Sequence, residues 1–177
     1  FFLSRLAFFR NARRLAALQA QMHAITIKMD LPAQRRSLEN KIRHAEALPA
    51  PLQAALISAL HSLPDDRRIC HGDFHPGNIL LSGQQETIID WNDATLGNPL
   101  ADVARSSILM LGTAASTLVP NHVLRFLIRL FQAIYLRQYF QLRPGGEREF
   151  RRWLPIIAGA RLEENIPEIE GWLVMQA

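Results

Sequence analysis

A single cysteine, Cys70, occurs in a chain of 177 residues. One thiol excludes a disulfide framework and fits a reducing compartment. Lysine is almost absent as well: Lys28 and Lys41 are the only two, so arginine makes up the rest of the twenty Lys and Arg. Long apolar runs are missing. The longest stretch without a charge, Ser106 to Leu124, contains Ser, Thr, Asn, His and Pro and is too polar for a membrane span. The opening Phe1-Phe2-Leu3 has no Met, and Arg5 and Arg10 interrupt its apolar character, which is not the order of a signal peptide. A cytoplasmic location is the default expectation, and the chain is expected to be part of a longer one. What is present is ordinary for one globular domain: 49% hydrophobic and 20% charged residues. At this length, folding buries roughly 70% of the unfolded surface without a metal or disulfide staple.

The net charge of +4 is unevenly spread. Residues 1–60 and 121–177 are basic, whereas residues 61–120 are acidic. Arginines that recur on amphipathic helices without interleaved aromatics read as solvated faces, so no nucleic-acid partner and no membrane partner are expected.

Three- and four-residue spacing predicts helices over 2–24, 33–47 and 52–62, with the Pro49–Pro51 break between the last two. The pattern then changes. Arg68-Ile69-Cys70 is a short apolar entry to a loop rich in Gly, Pro and His. Ile79–Leu81 and Thr87–Ile89 read as the arms of a hairpin around Ser82–Glu86, and Trp91–Pro99 reads as a loop. Helical patterns return at 100–118, 121–142, 147–163 and 167–176, with a kink expected at Pro155. The expected fold is α+β: a mostly helical body, 1–66 and 100–177, with one β-hairpin in 67–99 carrying the polar loops.

The chemistry concentrates in Cys70–Asp90, CHGDFHPGNILLSGQQETIID. The hairpin returns the chain so that Asp90 comes beside Asn78. One carboxylate and one amide oxygen suit a hard cation such as Mg²⁺, which keeps waters and substrate phosphates as its other ligands. Asp73, five residues before Asn78, is placed to accept a proton from a hydroxyl that attacks a phosphate.

His71-Gly72-Asp73-Phe74-His75-Pro76-Gly77-Asn78 is similar to the kinase catalytic-loop pattern His-x-Asp-x-x-x-x-Asn. With the following Ile88-Ile89-Asp90-Trp91 and NDATLGNPLADVAR, residues 68–105 resemble the aminoglycoside phosphotransferase family of small-molecule kinases. The resemblance implies a protein-kinase-like C-terminal lobe. It also implies Asp73 as catalytic base, and Asn78 and Asp90 as Mg²⁺ ligands on the phosphates of ATP or another nucleoside triphosphate. His71 would support the loop from below, and Asp102 would be the buried helix Asp that bonds its backbone. His75 stands where many protein kinases carry a Lys on the γ-phosphate, and Trp91-Asn92 replace Phe-Gly.

The departures are informative too. No two of the nine glycines form a Gly-rich loop ahead of the catalytic segment. Ile25-Thr26-Ile27-Lys28 follows a helical pattern and only 44 residues separate it from Asp73, so it reads as a helix end or connector and not as a phosphate-binding strand. The chain is therefore expected to lack the N-terminal nucleotide-binding lobe and to be inactive alone. The face so uncovered is expected to favour self-association. The implied function is ATP-dependent phosphorylation of a hydroxyl on a small aminoglycoside-, choline- or amino-alcohol-like acceptor. The alternatives are a metal-dependent hydrolase using His71, Asp73 and His75, and a catalytically silent binding module. Asp93 reads as an exposed turn residue, Cys70 as a buried small hydrophobe, and Glu163, Glu164, Glu168 and Glu170 as solvated acids.

Overall fold

The computed structural model describes residues 5–28, 30–83 and 85–177. Three helices lead: α1 (Arg5–Met22), α2 (Gln34–His44) and α3 (Ala50–Ser62). Four short strands follow, β1 (Arg68–Cys70), β2 (Ile79–Ser82), β3 (Gln85–Ile88) and β4 (Thr95–Gly97), with a 3₁₀ turn at Pro76–Asn78. The rest is helical: α4 (Pro99–Ala115), α5 (His122–Leu142), α6 (Glu147–Arg161) and α7 (Pro167–Gln176). The expected helices stand with ends shifted by no more than three residues, residues 2–4 of the first lying outside the described ones, and α6 runs to Arg161 with Pro155 inside it.

The sheet differs from expectation. There are two two-stranded antiparallel sheets among the described residues, not one hairpin. β2 and β3 form the expected hairpin, Ile79 opposite Ile88 and Ser82 opposite Gln85. The segment expected as loop contains β4, which pairs with β1 in the register Arg68–Gly97, Ile69–Leu96 and Cys70–Thr95. Three residues are too few for a periodic signal. Thr95–Gly97 becomes a strand because its partners lie elsewhere: β1 on one side, and Pro32, whose C=O accepts the Leu96 N–H at 2.9 Å, on the other.

Ala12, Ala16 and Ala20 recur at one-turn spacing on α1, and their small side chains let it pack closely on α5. Phe8 meets Phe131 edge to face at 5.5 Å. α4 runs through the middle against α5 and α6. Its start is defined by Asn98, whose side-chain oxygen accepts the Leu100 N–H at 2.9 Å, and by Pro99 in the first turn. Trp153, Tyr135, Tyr139, Phe74, Ile108 and Ile156 are among the largest fully buried side chains. The polar loops rest on this rigid base.

Candidate active site

Two pairings set two loops side by side. Cys70 is opposite Thr95 at the end of one sheet, and Ile79 is opposite Ile88 at the start of the other. Residues 71–78 and 89–94 are thus tied to each other at both ends. The Ile89 N–H donates to the Asn78 C=O at 3.0 Å. His71 joins the loops from below: its Nδ1 accepts the Asp73 N–H at 3.2 Å, and its Nε2–H donates to the Ile89 C=O at 2.9 Å. The imidazole is fully buried between Phe74 and Trp91, with ring centroids 5.9 and 4.7 Å away. Both ring nitrogens are committed to the main chain, which leaves His71 no lone pair for a metal. Among the described residues, no three His, Cys, Asp or Glu side chains group as a metal site.

Gly72 sits at φ +80°, a left-handed conformation. Its N–H donates to Asp102 Oδ1 at 2.7 Å, and its C=O accepts from Arg105 Nε at 3.0 Å. A Cβ here would lie 2.8 Å from the Asp93 Cβ and run into the Asp93 carbonyl. The glycine between His71 and Asp73 is therefore required by conformation and by space.

Asp102, fully buried in the first turn of α4, gathers donors from three directions. Oδ1 takes Gly72, while Oδ2 takes Gln19 Nε2 at 2.9 Å and His23 Nε2 at 3.0 Å. His23 Nδ1 in turn faces the Tyr139 hydroxyl at 2.8 Å, and Gln19 Oε1 accepts from the Tyr135 hydroxyl. Burial pushes the Asp102 pKa up, but the hydrogen bond and charge of His23, with Gly72 and Gln19, bring the net direction down. Helix α1 therefore reaches the 71–78 loop through a buried carboxylate on α4.

Asp73 is half-buried with its carboxylate among donors. His75 Nε2 is 3.4 Å from Oδ2, and Asn78 Nδ2 donates to Oδ2 at 3.1 Å and to the Asp73 C=O at 2.9 Å. An Arg105 Nη stands 3.8 Å from Oδ1. His75 first, then Arg105 and Asn78, hold the Asp73 pKa at about 2 against the upward push of burial. His75 accepts the Gly77 N–H on Nδ1 at 3.0 Å, so its proton lies on Nε2, facing Asp73. Arg105 also pairs with Glu164 at 2.5 Å, and Glu164 with Arg161 at 3.2 Å.

Asn78 commits its amide N–H groups to Asp73, which leaves Oδ1 as the atom available to a cation. Asp90 is exposed, one residue beyond the Asn78–Ile89 link, in a left-handed conformation at φ 63°. Asp tolerates that region better than most residues. Its Oδ1 accepts the Asn92 amide at 2.6 Å. Two oxygen donors of this kind fit Mg²⁺, which takes its remaining ligands from water and phosphate.

His71, Asp73, His75, Asn78, Asp90 and Asp102 all belong to this one region. Sequence reading missed His23, Gln19, Tyr139 and Arg105. His23, within the stretch 2–24 expected as a helix, is fully buried and hydrogen-bonded to Asp102. Of the acids in the last third, Glu164 is bound to two arginines, while Glu168 and Glu170 occupy the first turn of α7, where the helix dipole favours them. Asp93 pairs with Lys41 at 3.0 Å, and Cys70 is fully buried, with burial raising its pKa.

The sequence profile of the phosphotransferase enzyme family matches residues 9–153. Aligned over 85 residues, the chain is 34% identical to acyl-CoA dehydrogenase family member 10 of Mus musculus, covering 44% of this chain and 8% of that protein. Among solved structures, an amicoumacin kinase in complex with AMP-PNP, Ca²⁺ and Ami superposes with a TM-score of 0.65 at 15% identity, over 94% of this chain and 57% of that one. A thermostable mutant of aminoglycoside phosphotransferase APH(4)-Ia in its apo form gives 0.59 at 16% identity, over 95% and 63%. The chain thus spans about three-fifths of the solved kinases whose fold it shares.

Proposed function

This chain belongs to the phosphotransferase enzyme family, and we propose from that premise that it carries the base- and metal-bearing half of an ATP-dependent kinase for a small-molecule hydroxyl. The observation that supports the reading is the pairing of two loops at Asn78, whose amide is bonded to the ionised Asp73 and whose main chain is bonded to Ile89, the residue before Asp90. Asp73 orients the acceptor hydroxyl. The hydroxyl oxygen bonds to the γ-phosphorus as the bond to the departing nucleoside diphosphate breaks, and the hydroxyl proton passes to Asp73. A carboxylate with a pKa near 2 is a weak base, so it acts by aligning the hydroxyl and takes the proton late, as suits a loose phosphoryl-transfer transition state. Asn78 Oδ1 and the Asp90 carboxylate are the groups to hold Mg²⁺, which neutralises phosphate charge when bound. His75 steadies Asp73 and is the nearest imidazole for a phosphate oxygen.

The hydrolase alternative lacks its ligand set, because His71 has both nitrogens on main-chain partners. Thermal unfolding of this chain with Mg²⁺-ATP, and with ATP plus chelator, tests the kinase reading. A ligand of the folded state raises stability by RT ln(1 + [L]/Kd), so millimolar nucleotide reveals weak binding. A Mg²⁺-dependent rise that disappears in Asp90→Asn is expected. Asn is chosen because it tolerates the left-handed backbone while removing the charge. The same rise with chelator, or in the variant, would remove the metal assignment.

A further inference from the structure

We propose that the acceptor is an alcohol with an apolar body and no cationic group; this rests on the kinase reading and narrows it. Beside the catalytic loop lies a cavity of about 450 Å³, within the roughly 300–1,000 Å³ range of small-molecule sites. Its walls are apolar: Leu109 and Met110 of α4 face Leu124, Ile128 and Phe131 of α5. His75 and Pro76 of the catalytic loop line it too, as does Arg161. His75 leads to the reacting carboxylate, since its Nε2 is 3.4 Å from Asp73. Arg161 leads there as well, through Glu164 and Arg105.

The charge of the lining decides the acceptor class. Among the described residues no carboxylate lines this cavity, and Arg161 is its one fixed charge. A polyamine acceptor entering it would shed its hydration for hydrocarbon walls and meet a guanidinium, while the nearest carboxylate to that guanidinium, Glu164, is already shared between Arg161 and Arg105. The hydrocarbon body of an aliphatic or aromatic alcohol loses only apolar hydration there, which is favourable. The polar cleft on the other side of Gly72, lined by Lys41, Asp93 and Arg105, offers no alternative seat. Its volume is about 40 Å³, enough for a water or two.

The test is direct binding to this chain without nucleotide, followed by amide NMR, with three probes: 1,10-decanediol, 10-hydroxydecanoate and kanamycin. Decanediol is expected to shift the Leu109, Met110 and Thr113 amides saturably, and kanamycin to leave them unmoved. Leu124 is 43% exposed, so Leu124→Asp should keep the fold and weaken decanediol binding tenfold or more. Thr113→Trp, at an exposed position on the rim, should do the same by filling space. 10-Hydroxydecanoate binding alongside decanediol extends the class to anionic alcohols, and its exclusion restricts the class to neutral ones. Kanamycin binding at these amides, no binding by either apolar probe, or binding indifferent to both substitutions would overturn the proposal. Failure of the kinase reading has a different signature: apolar binding persists, but Mg²⁺-ATP gives no stabilisation sensitive to Asp90→Asn.

Discussion

Asp102 accepts the main-chain N–H of Gly72 at 2.7 Å across thirty residues of sequence. That one bond ties the first turn of α4 to the residue before the proposed base. The same carboxylate also receives Gln19 of α1 and His23 just after its end, so the position of the 71–78 loop is set from two helices.

Replacing Asp102 by Asn removes the charge and puts an N–H₂ among groups that are already donors. A hydrogen bond to a buried charged group typically contributes about 1.5–3 kcal/mol, and Asp102 accepts three. Asp102→Asn is therefore expected to lower the stability of this chain by that order in urea unfolding. A loss below about 1 kcal/mol, the level of an exposed pair, would mean that the network around His23 does not bear on the fold.

Gly72→Ala attacks the same place from the other side. The left-handed backbone costs an L side chain about 1–3 kcal/mol, and here the new Cβ also presses on Asp93. The 91–94 loop must move, so Mg²⁺-nucleotide stabilisation is expected to fall along with global stability. Retention of the full nucleotide response would show that the two loops are not mechanically joined at this point.

Acid should act through Asp73 and Asp102. The Asp73 pKa falls from 3.8 to about 2 on folding. Its stabilising contribution is therefore complete above pH 3.8 and is lost as the pH drops toward 2. Asp102 is shifted in the same direction and adds to the loss over the acid range. Stability measured against pH is expected to drop more steeply below 3.8 in the parent chain than in Asp73→Asn. Since His75 is the largest cause of the shift, His75→Ala should move the Asp73 midpoint, read by carboxylate NMR, upward. A midpoint still near 2 in that variant would assign the effect to Arg105 and Asn78.

The loop of residues 71–78 and its link to Asp90 were legible because their information is local. His71, Asp73 and Asn78 lie within eight residues, and the hairpin that returns Asp90 is encoded by two short apolar runs around a polar turn. Helix ends were legible for the same reason, through the Pro49–Pro51 break and Pro99. The Asp102 cluster was not. His23 and Gln19 lie 79 and 83 residues from Asp102, and Tyr139 lies 116 from His23. On a helix wheel, His23 is one more polar residue near a helix end. Only the packing of α1 on α4 and α5 tells a buried hydrogen-bonded imidazole from a solvated one. β4 was missed for an equivalent reason: a three-residue strand is defined by its neighbours and not by its own sequence.

Arg105 should not tolerate lysine. Its Nε serves the Gly72 C=O at 3.0 Å, while an Nη bridges Glu164 at 2.5 Å and reaches 3.8 Å from Asp73. A guanidinium satisfies these acceptors with a planar fork, whereas an ammonium is a single point and must choose among them. Arg105→Lys retains the positive charge, so any effect reports geometry. The strongest acceptor for the ammonium is the Glu164 carboxylate, which would leave the Gly72 carbonyl unbonded and Asp73 with a more distant cation. The expected result is an Asp73 midpoint raised above about 2 but still below 3.8, because His75 and Asn78 remain. Stability should fall by about 1–3 kcal/mol, the cost of a buried acceptor without its donor. An unchanged midpoint together with unchanged stability would remove Arg105 from the set of residues that position the base.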